Sequence, residues 1–489
     1  MSGELQKGST LAPPSSRELS WYALGSVPAG IGALAWTFMI FYYNQVLGIP
    51  ASLIGIVAVA VSGFDALSDP VVGAISDRTR GRWGRRHRYL LLAAVPSALT
   101  FYLVWAPPAG LAVTGLLAFL LVVHLVKRLV DTFYFVPYLA LGAEISTDYE
   151  TRTRITTLRG IYFHVGRAVA GAALLLVFLR PTAEYPDGQL NPEAYPRFAA
   201  VFGLIILVTL LASAWKTRSW IGRLSEASPE ESGGIGRVYR DFRDALAYRS
   251  FRAILFGSVS RHIAWGMSDS LGIYMATYFW KISTDMLFFW GVGMFTGLFV
   301  GLPFWRDFSR RFDKKPICML GDGIYLFFFC IPYLLKIVGF WPDHDSALYI
   351  PAYVLTTGFL AHFGIAASGV LTGSMLGDIT DLDELEHGKR REGVIFGAES
   401  FTWKALTGVG PLVAGIVIDL VGLREGVAPE NVPGSVATAL GLAQGGVMSI
   451  FFGLAVLFIS RYDLNRARHD RILASLEERS QEPLPSRSS

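Results

Sequence analysis

The stretch "FDALSDPVVG" (64–73) carries two carboxylates, Asp65 and Asp69, inside an otherwise apolar run. A spacing of four residues puts both on one face of a helix. An ionised carboxylate in hydrocarbon is costly, so such residues face a cavity or an ion pathway. Two like charges this close repel unless a cation sits between them, which is the chemistry of a cation-binding site. Oxygen ligands suit a hard cation, and the hydroxyls of Ser68 and Thr132 are candidates to complete its shell. The alternative reading is that the two acids pair with basic residues and only lock helices together.

Three further groups invite the same question. Lys404, in "SFTWKALTG" (400–408), lies halfway along a late apolar run, five residues after Glu399. A buried ammonium needs a partner, either the two aspartates or a local contact with Glu399, unless its stem carries the charge out to the interface. Lys127, Arg128, Asp131 and Thr132 cluster in "LVKRLVDTFYFVPY", and Arg159, His164 and Arg167 in "TTLRGIYFHVGR". Arg128 and Asp131 are spaced to neutralise one another. Facing a cavity instead, Arg128 or Arg159 offers a planar fork of donors to hydroxyls, a carboxylate or a phosphate. Arg261, His262, Asp269 and His362 are scattered more thinly, and the lone histidines read as packing residues. Tyr138, Trp265, Trp305 and Trp403 suit stacking on a sugar ring and equally suit helix contacts and membrane interfaces. Neither HExxH nor GxSxG occurs, which argues against an intramembrane hydrolase.

The elements that must position these residues are membrane spans. Of 489 residues, 52% are hydrophobic and 17% charged, with 51 glycines and a mean hydropathy of +0.42. Apolar windows long enough to cross a bilayer fall near 20–46, 51–76, 89–107, 111–143, 154–180, 197–216, 252–280, 285–305, 316–340, 348–376, 394–422 and 442–461. The loop "DRTRGRWGRRHR" (77–88) holds six arginines, "RDFSRRFDKK" (306–315) five basic residues and "HGKRREG" (387–393) three, whereas "APPAG" and "GFWPDHDS" hold none. Positive charge marks the cytoplasmic side, so twelve spans with both termini inside are expected. Wedged between spans, the basic runs are topology determinants rather than nucleic-acid patches. The polar start "MSGELQKGSTLAPPSSRE" reads as an uncleaved cytoplasmic tail. Cys318 and Cys330, about 18 Å apart along one helix, are not expected to pair.

The chain also repeats itself. "LGAEISTDYETRTR" (141–154) resembles "LGDITDLDELEHGKRR" (376–391), and the basic loop after the second span has a counterpart after the eighth. Equivalent loops six spans apart predict two parallel six-helix repeats, 20–216 and 251–462, with a cytoplasmic tail at 1–19, a connecting loop at 217–250 and a second tail at 463–489. The expected fold class is an all-α membrane protein with the architecture of the major facilitator superfamily.

"DALSDPVVGAISDRTRGRWGRRHRYLL" (65–91), "FVPYLALGAEISTDYETRTR" (135–154) and "GDITDLDELEHGKRREGVIFGAESFTWK" (377–404) resemble the glycoside–pentoside–hexuronide:cation symporters, the melibiose-permease branch of that superfamily. The resemblance spans all twelve segments. It implies alternating-access symport, with cation ligands at Asp65, Asp69, Ser68 and Thr132, a coupling lysine at Lys404 and an arginine at the edge of the sugar pocket at Arg159. Arg128, Asp131 and Trp403 are further candidates for that pocket. The acids that hold galactoside hydroxyls in melibiose permeases fall at Ala29 and Phe135, and their stacking tryptophan at Tyr138. Losing both acids argues against a galactoside and leaves room for a sugar derivative, an anionic compound or an amphiphile, the last in likeness to animal lysolipid transporters. The implied partners are a small-molecule substrate, Na⁺ or H⁺ and the lipid bilayer, with no cofactor and no nucleic acid. A monomer in a bacterial inner membrane is expected.

Overall fold

The computed structural model describes residues 14–81, 83–145, 148–223, 240, 242–388 and 391–481. Every regular element among them is helical. Residues 1–13 of the expected first tail, 224–239 and 241 of the connecting loop expected at 217–250, and 482–489 of the expected second tail lie outside the described residues, as do Arg82, Lys389 and Arg390 of the basic loops.

Ser15 starts the first helix with a reciprocal cap: Glu18 donates its backbone N–H to the Ser15 hydroxyl and its carboxylate accepts the Ser15 N–H, which satisfies two otherwise orphaned groups. From there the chain forms α1 (Ser16–Val46), α2 (Ala51–Arg78), α3 (His87–Trp105), α4 (Val113–Glu144), α5 (Thr151–Phe178) and α6 (Ala194–Lys216). It continues through α7 (Arg249–Tyr274), α8 (Thr284–Phe308), α9 (Lys314–Ile337), α10 (Tyr349–His387), α11 (Glu392–Val421), α12 (Gly434–Ile459) and α13 (Arg466–Gln481). Eleven of these are long and apolar enough to cross a membrane. The exception among α1–α12 is α7, whose apolar length is diluted by Arg252, Arg261, His262 and Asp269. The tenth helix runs past the expected end at 376 to His387, carrying the acids of the repeated loop out along the same axis.

The described residues divide into two compact units. The first comprises 14–39, 64–179 and 191–223; the second comprises 40–63, 180–190 and 240–481. In the first, α3 packs against α4 and α6, and the start of α1 packs against α5 and α6. In the second, α9 packs against α10 and α12, and α7 packs against α11 and α12. The two units thus use corresponding helices six apart. The second also encloses the far end of α1 and the start of α2: Tyr274 donates to Asn44 at 3.0 Å, Tyr278 donates to Gln45 at 2.8 Å, and Asp419 accepts the N–H groups of Ala51 and Ser52 at 3.1 and 3.0 Å. A carboxylate at a helix start is the favourable sign for its dipole.

One contact differs between the units, and it bears on the site. Along α8, Gly293, Gly297 and Gly301 bring the backbone of α10 close; a Cβ at Gly297 would sit 2.2 Å from the Phe359 carbonyl oxygen. The equivalent pair in the first unit, α2 and α4, touches only sparsely.

The repeated loops are held by matching ion pairs. Arg86, buried in the loop after α2, reaches Asp77 at 2.5 Å, Glu144 at 2.6 Å and the Ser76 hydroxyl at 2.6 Å, while Arg85 meets the other Glu144 oxygen at 3.0 Å. In the second unit Lys314, the first residue of α9, meets Asp378 of α10 at 2.6 Å, one position before the residue that matches Glu144 in the repeat. Removing one partner of a buried pair costs about 3–5 kcal/mol, because the other charge is left uncompensated. Arg86→Ala is therefore expected to lower the unfolding midpoint of the purified protein sharply. Arg86→Lys is expected to restore little of it, since a point charge cannot reach three acceptors as a guanidinium fork does. A thermal-unfolding series on the three proteins checks both.

Candidate functional site

Most of the expected site residues lie in the first unit. Asp65 and Asp69 occupy the same face of α2, about 6 Å apart along its axis at 1.5 Å per residue, both half-buried. Across the sparse contact with α4, the buried Thr132 hydroxyl donates to Asp65 Oδ1 at 3.4 Å. Ser68, also buried, donates its proton to the Asp65 backbone carbonyl at 3.2 Å, and Pro70 follows two residues on, within the same helix. A hydroxyl whose proton is committed to a carbonyl presents its oxygen lone pairs outward, which is the arrangement a cation ligand needs. Asp65 and the Thr132 hydroxyl thus meet across facing helices, with Ser68 and Asp69 following on the same stretch of α2; oxygens of this kind are the ligands a hard cation takes.

The neighbouring charges sort differently from their spacing. Asp131 does not bond Arg128; it accepts from Lys127 at 2.5 Å on its own helix and from the Ser97 hydroxyl of α3 at 2.8 Å. Arg128 instead lies over the Trp36 ring of α1 at 5.5 Å. Trp36 also meets His124 edge-on at 5.8 Å. The i,i+4 lysine takes the aspartate and leaves the i,i+3 arginine to an aromatic face, where a guanidinium gains from the ring quadrupole.

Tyr138 is a helix lock rather than an open stacking surface in this arrangement. It is 1% exposed, stacks on Tyr22 of α1 at 4.4 Å, and donates to the Tyr22 carbonyl at 3.0 Å while Tyr22 donates to its own carbonyl at 2.7 Å. Its hydroxyl also meets Ser26 at 2.9 Å, and the Arg159 guanidinium of α5 lies over its ring at 5.6 Å. Arg159 Nε is buried with no hydrogen-bond partner. Phe135 packs edge-on to Tyr134 and Tyr138 and is half-buried, as is Ala29 on α1. The start of α1 lies against α5 so closely that a Cβ at Gly30 would sit 2.0 Å from the Phe163 carbonyl oxygen. That close approach fixes Ala29 beside α5.

Lys404 and Trp403 belong to the second unit, on α11. Lys404 is half-buried, and Trp403 is exposed with its ring edge-on to His262 at 4.9 Å. Sequence spacing did not reveal Trp36, Tyr22 or Lys127 as partners.

Residues 21–466 match the sequence model of the family described as MFS/sugar transport protein. The chain belongs to that family, among the glycoside–pentoside–hexuronide:cation symporters. It is a membrane transporter of the major facilitator fold and not an enzyme. Relatives include the inner membrane symporter YicJ of Escherichia coli, 23% identical with 81% of this chain and 80% of that protein covered. The isoprimeverose transporter of Lactiplantibacillus pentosus is 22% identical, covering 91% and 88%. The sodium-dependent lysophosphatidylcholine symporter 1 of Gallus gallus is 23% identical, covering 94% and 89%. Among solved structures, the xylose transporter XylE from E. coli has a TM-score of 0.61 at 13% identity over 93% of this chain and 98% of that one, a likeness of fold alone.

Proposed function

We propose that this transporter is a cation-coupled symporter in which Asp65 and Asp69, with Ser68 and Thr132, bind the driving ion. The observation that carries the reading is the hydrogen bond from Thr132 to Asp65 across the loosely packed α2–α4 pair. The cation is Na⁺ or H⁺; the sodium dependence named for the Gallus gallus relative favours Na⁺. Its two six-helix bundles are 20–216 and 251–462, connected by a cytoplasmic loop at 217–250, with both tails cytoplasmic, and transport proceeds by alternating access. Binding of the ion favours closure around substrate, and Lys404 responds to whether the ion is present. The protein acts as a monomer in the bacterial inner membrane, as the name of the E. coli relative supports.

The substrate is a sugar, glycoside or sugar derivative, in keeping with the family's description and with the isoprimeverose relative. The residues proposed to take part in binding it are Ala29, Arg128, Asp131, Phe135, Tyr138 and Arg159 of the first unit and, in the second, Trp403. A second reading, an anionic or amphiphilic substrate, is favoured by the unmatched Arg159 Nε, by the apolar residues at positions Ala29 and Phe135 and by the lysophosphatidylcholine relative. A uniporter on the same scaffold is distinguished by uptake that ignores the ion gradient. Thermal unfolding of the purified protein with sugars, uronates, sulfonated sugars and lysolipids, each with and without Na⁺, tests all three. Saturating ligand at a hundred times its Kd stabilises by about 2.7 kcal/mol. A symporter is expected to show substrate shifts that grow with Na⁺ or with acidification; shifts blind to both defeat the coupling.

A further inference from the structure

The second unit holds a polar cluster that the cation site does not use. Arg261 of α7 is buried, and its guanidinium donates to Asp322 of α9 at 3.3 Å, Cys318 at 3.6 Å, Ser258 at 3.3 Å and Thr372 of α10 at 3.0 Å. Asp322, wholly buried, also accepts from Ser368 at 2.5 Å. That ion pair is balanced in itself. Beside it, His262 Nε2 lies 3.7 Å from Glu399 Oε1 of α11, with side chains 14% and 22% exposed. The far atoms of this second pair, Glu399 Oε2 and His262 Nδ1, are both buried without a hydrogen-bond partner.

The charges of the cluster leave a remainder. Arg261 cancels Asp322, and Glu399 beside a neutral imidazole adds one negative charge. At 3.7 Å the contact is longer than a hydrogen bond, and one added proton, carried by the carboxyl group, supplies an O–H donor to the acceptor nitrogen of the neutral imidazole. It also brings the cluster to neutrality, which a low-dielectric surrounding favours. The other helices packed on α11 do not supply that compensation. Residues 51–63 of α2 and all of α12 contain no charged side chain, and between Ala361 and Gly377 α10 contributes only His362, which packs on Trp265, Trp290 and Tyr325. On α11 itself, Glu392 lies about two turns before Glu399, and Lys404 lies about 7.5 Å further along and roughly 140° round the helix. Trp403, by contrast, follows Glu399 by one turn on the same face, and this is why it meets His262.

We propose that His262 and Glu399 form a proton-binding site in the second unit, one proton shared between carboxylate and imidazole, separate from Asp65 and Asp69. The transporter then carries a titratable pair in each half, and the occupancy of this one sets a pH dependence that the driving ion does not. Infrared difference spectra of the full-length protein in lipid nanodiscs, recorded between alkaline and acidic buffer at constant Na⁺, test it. A carboxylic C=O band is expected to grow on acidification, to vanish in Glu399→Gln, and to persist in the Asp65→Asn/Asp69→Asn double variant. His262→Asn is expected to retain the band and shift its midpoint. A spectrum unchanged by Glu399→Gln, or a band lost only in the double variant, overturns the proposal. Should Glu399→Gln not fold, an unmoved midpoint in His262→Asn overturns it equally.

Discussion

Asp65→Asn and Asp69→Asn are each expected to abolish cation-driven accumulation of substrate while leaving downhill exchange in place. A carboxylate about 4 Å from a bound monovalent ion, at an effective dielectric constant of about 20, contributes about 4 kcal/mol. Removing that charge with an isosteric amide is therefore expected to weaken ion binding about a thousandfold. The amide keeps the volume and the helix, so the folded protein should be recovered in ordinary yield, with substrate still able to stabilise it. What disappears is the ion's share of that stabilisation. Thr132→Val is expected to produce a milder version, because it removes one neutral ligand and leaves both carboxylates. Paired measurements of uphill uptake in vesicles and of the Na⁺-dependent unfolding midpoint check the series. Undiminished accumulation in both aspartate variants would remove the cation site from α2.

The second large effect is on stability. Arg261→Ala is expected to destabilise the protein by about 3–5 kcal/mol, because Asp322 is wholly buried and would keep the Ser368 hydroxyl as its donor but lose its counter-charge. Asp322→Ala is expected to be as damaging, since it strands the guanidinium against Cys318, Ser258 and Thr372. The double replacement Arg261→Met with Asp322→Leu is expected to recover most of the loss. Apolar side chains of similar volume carry no desolvation penalty, so a buried pair exchanged whole is often neutral. A cycle made of the parent, Arg261→Met, Asp322→Leu and their combination, read by unfolding midpoints in a common lipid–detergent mixture, measures the pair directly. Additive single and double effects would mean that the 3.3 Å contact carries no interaction energy. The same cycle separates structure from proton binding: the double variant leaves His262 and Glu399 in place.

Some of this was legible in the chain itself. Apolar length and the alternation of basic and neutral loops located the spans, because a bilayer imposes both a thickness and a charge asymmetry on any sequence that crosses it. Helical periodicity alone put Asp65 and Asp69 on one face. The repeated loops announced corresponding elements, and the ion pairs of Glu144 and Asp378 with the preceding basic loops are how those elements are held. Even the weak seventh span was legible, since Arg261 and Asp269 in a span that length mark polar work inside the unit.

Which residue meets which was decided only by the fold. Thr132 reaches Asp65 across 67 positions of sequence, and Arg261 reaches Asp322 across 61. Within α4, local spacing allowed Asp131 either Lys127 or Arg128, and the placement of Ser97 on α3 and Trp36 on α1 assigned the lysine to the acid and the arginine to the ring. Tyr138, which by type suits a sugar face, was committed to Tyr22 by the close approach of α1. The physical reason is common to all of these. In lipid, helices associate through shape and polar contacts rather than through a hydrophobic force that the sequence pattern would display. The bilayer therefore writes the spans and their orientation into the sequence, while partners between helices are set by where small residues such as Gly30 and Gly297 let backbones meet.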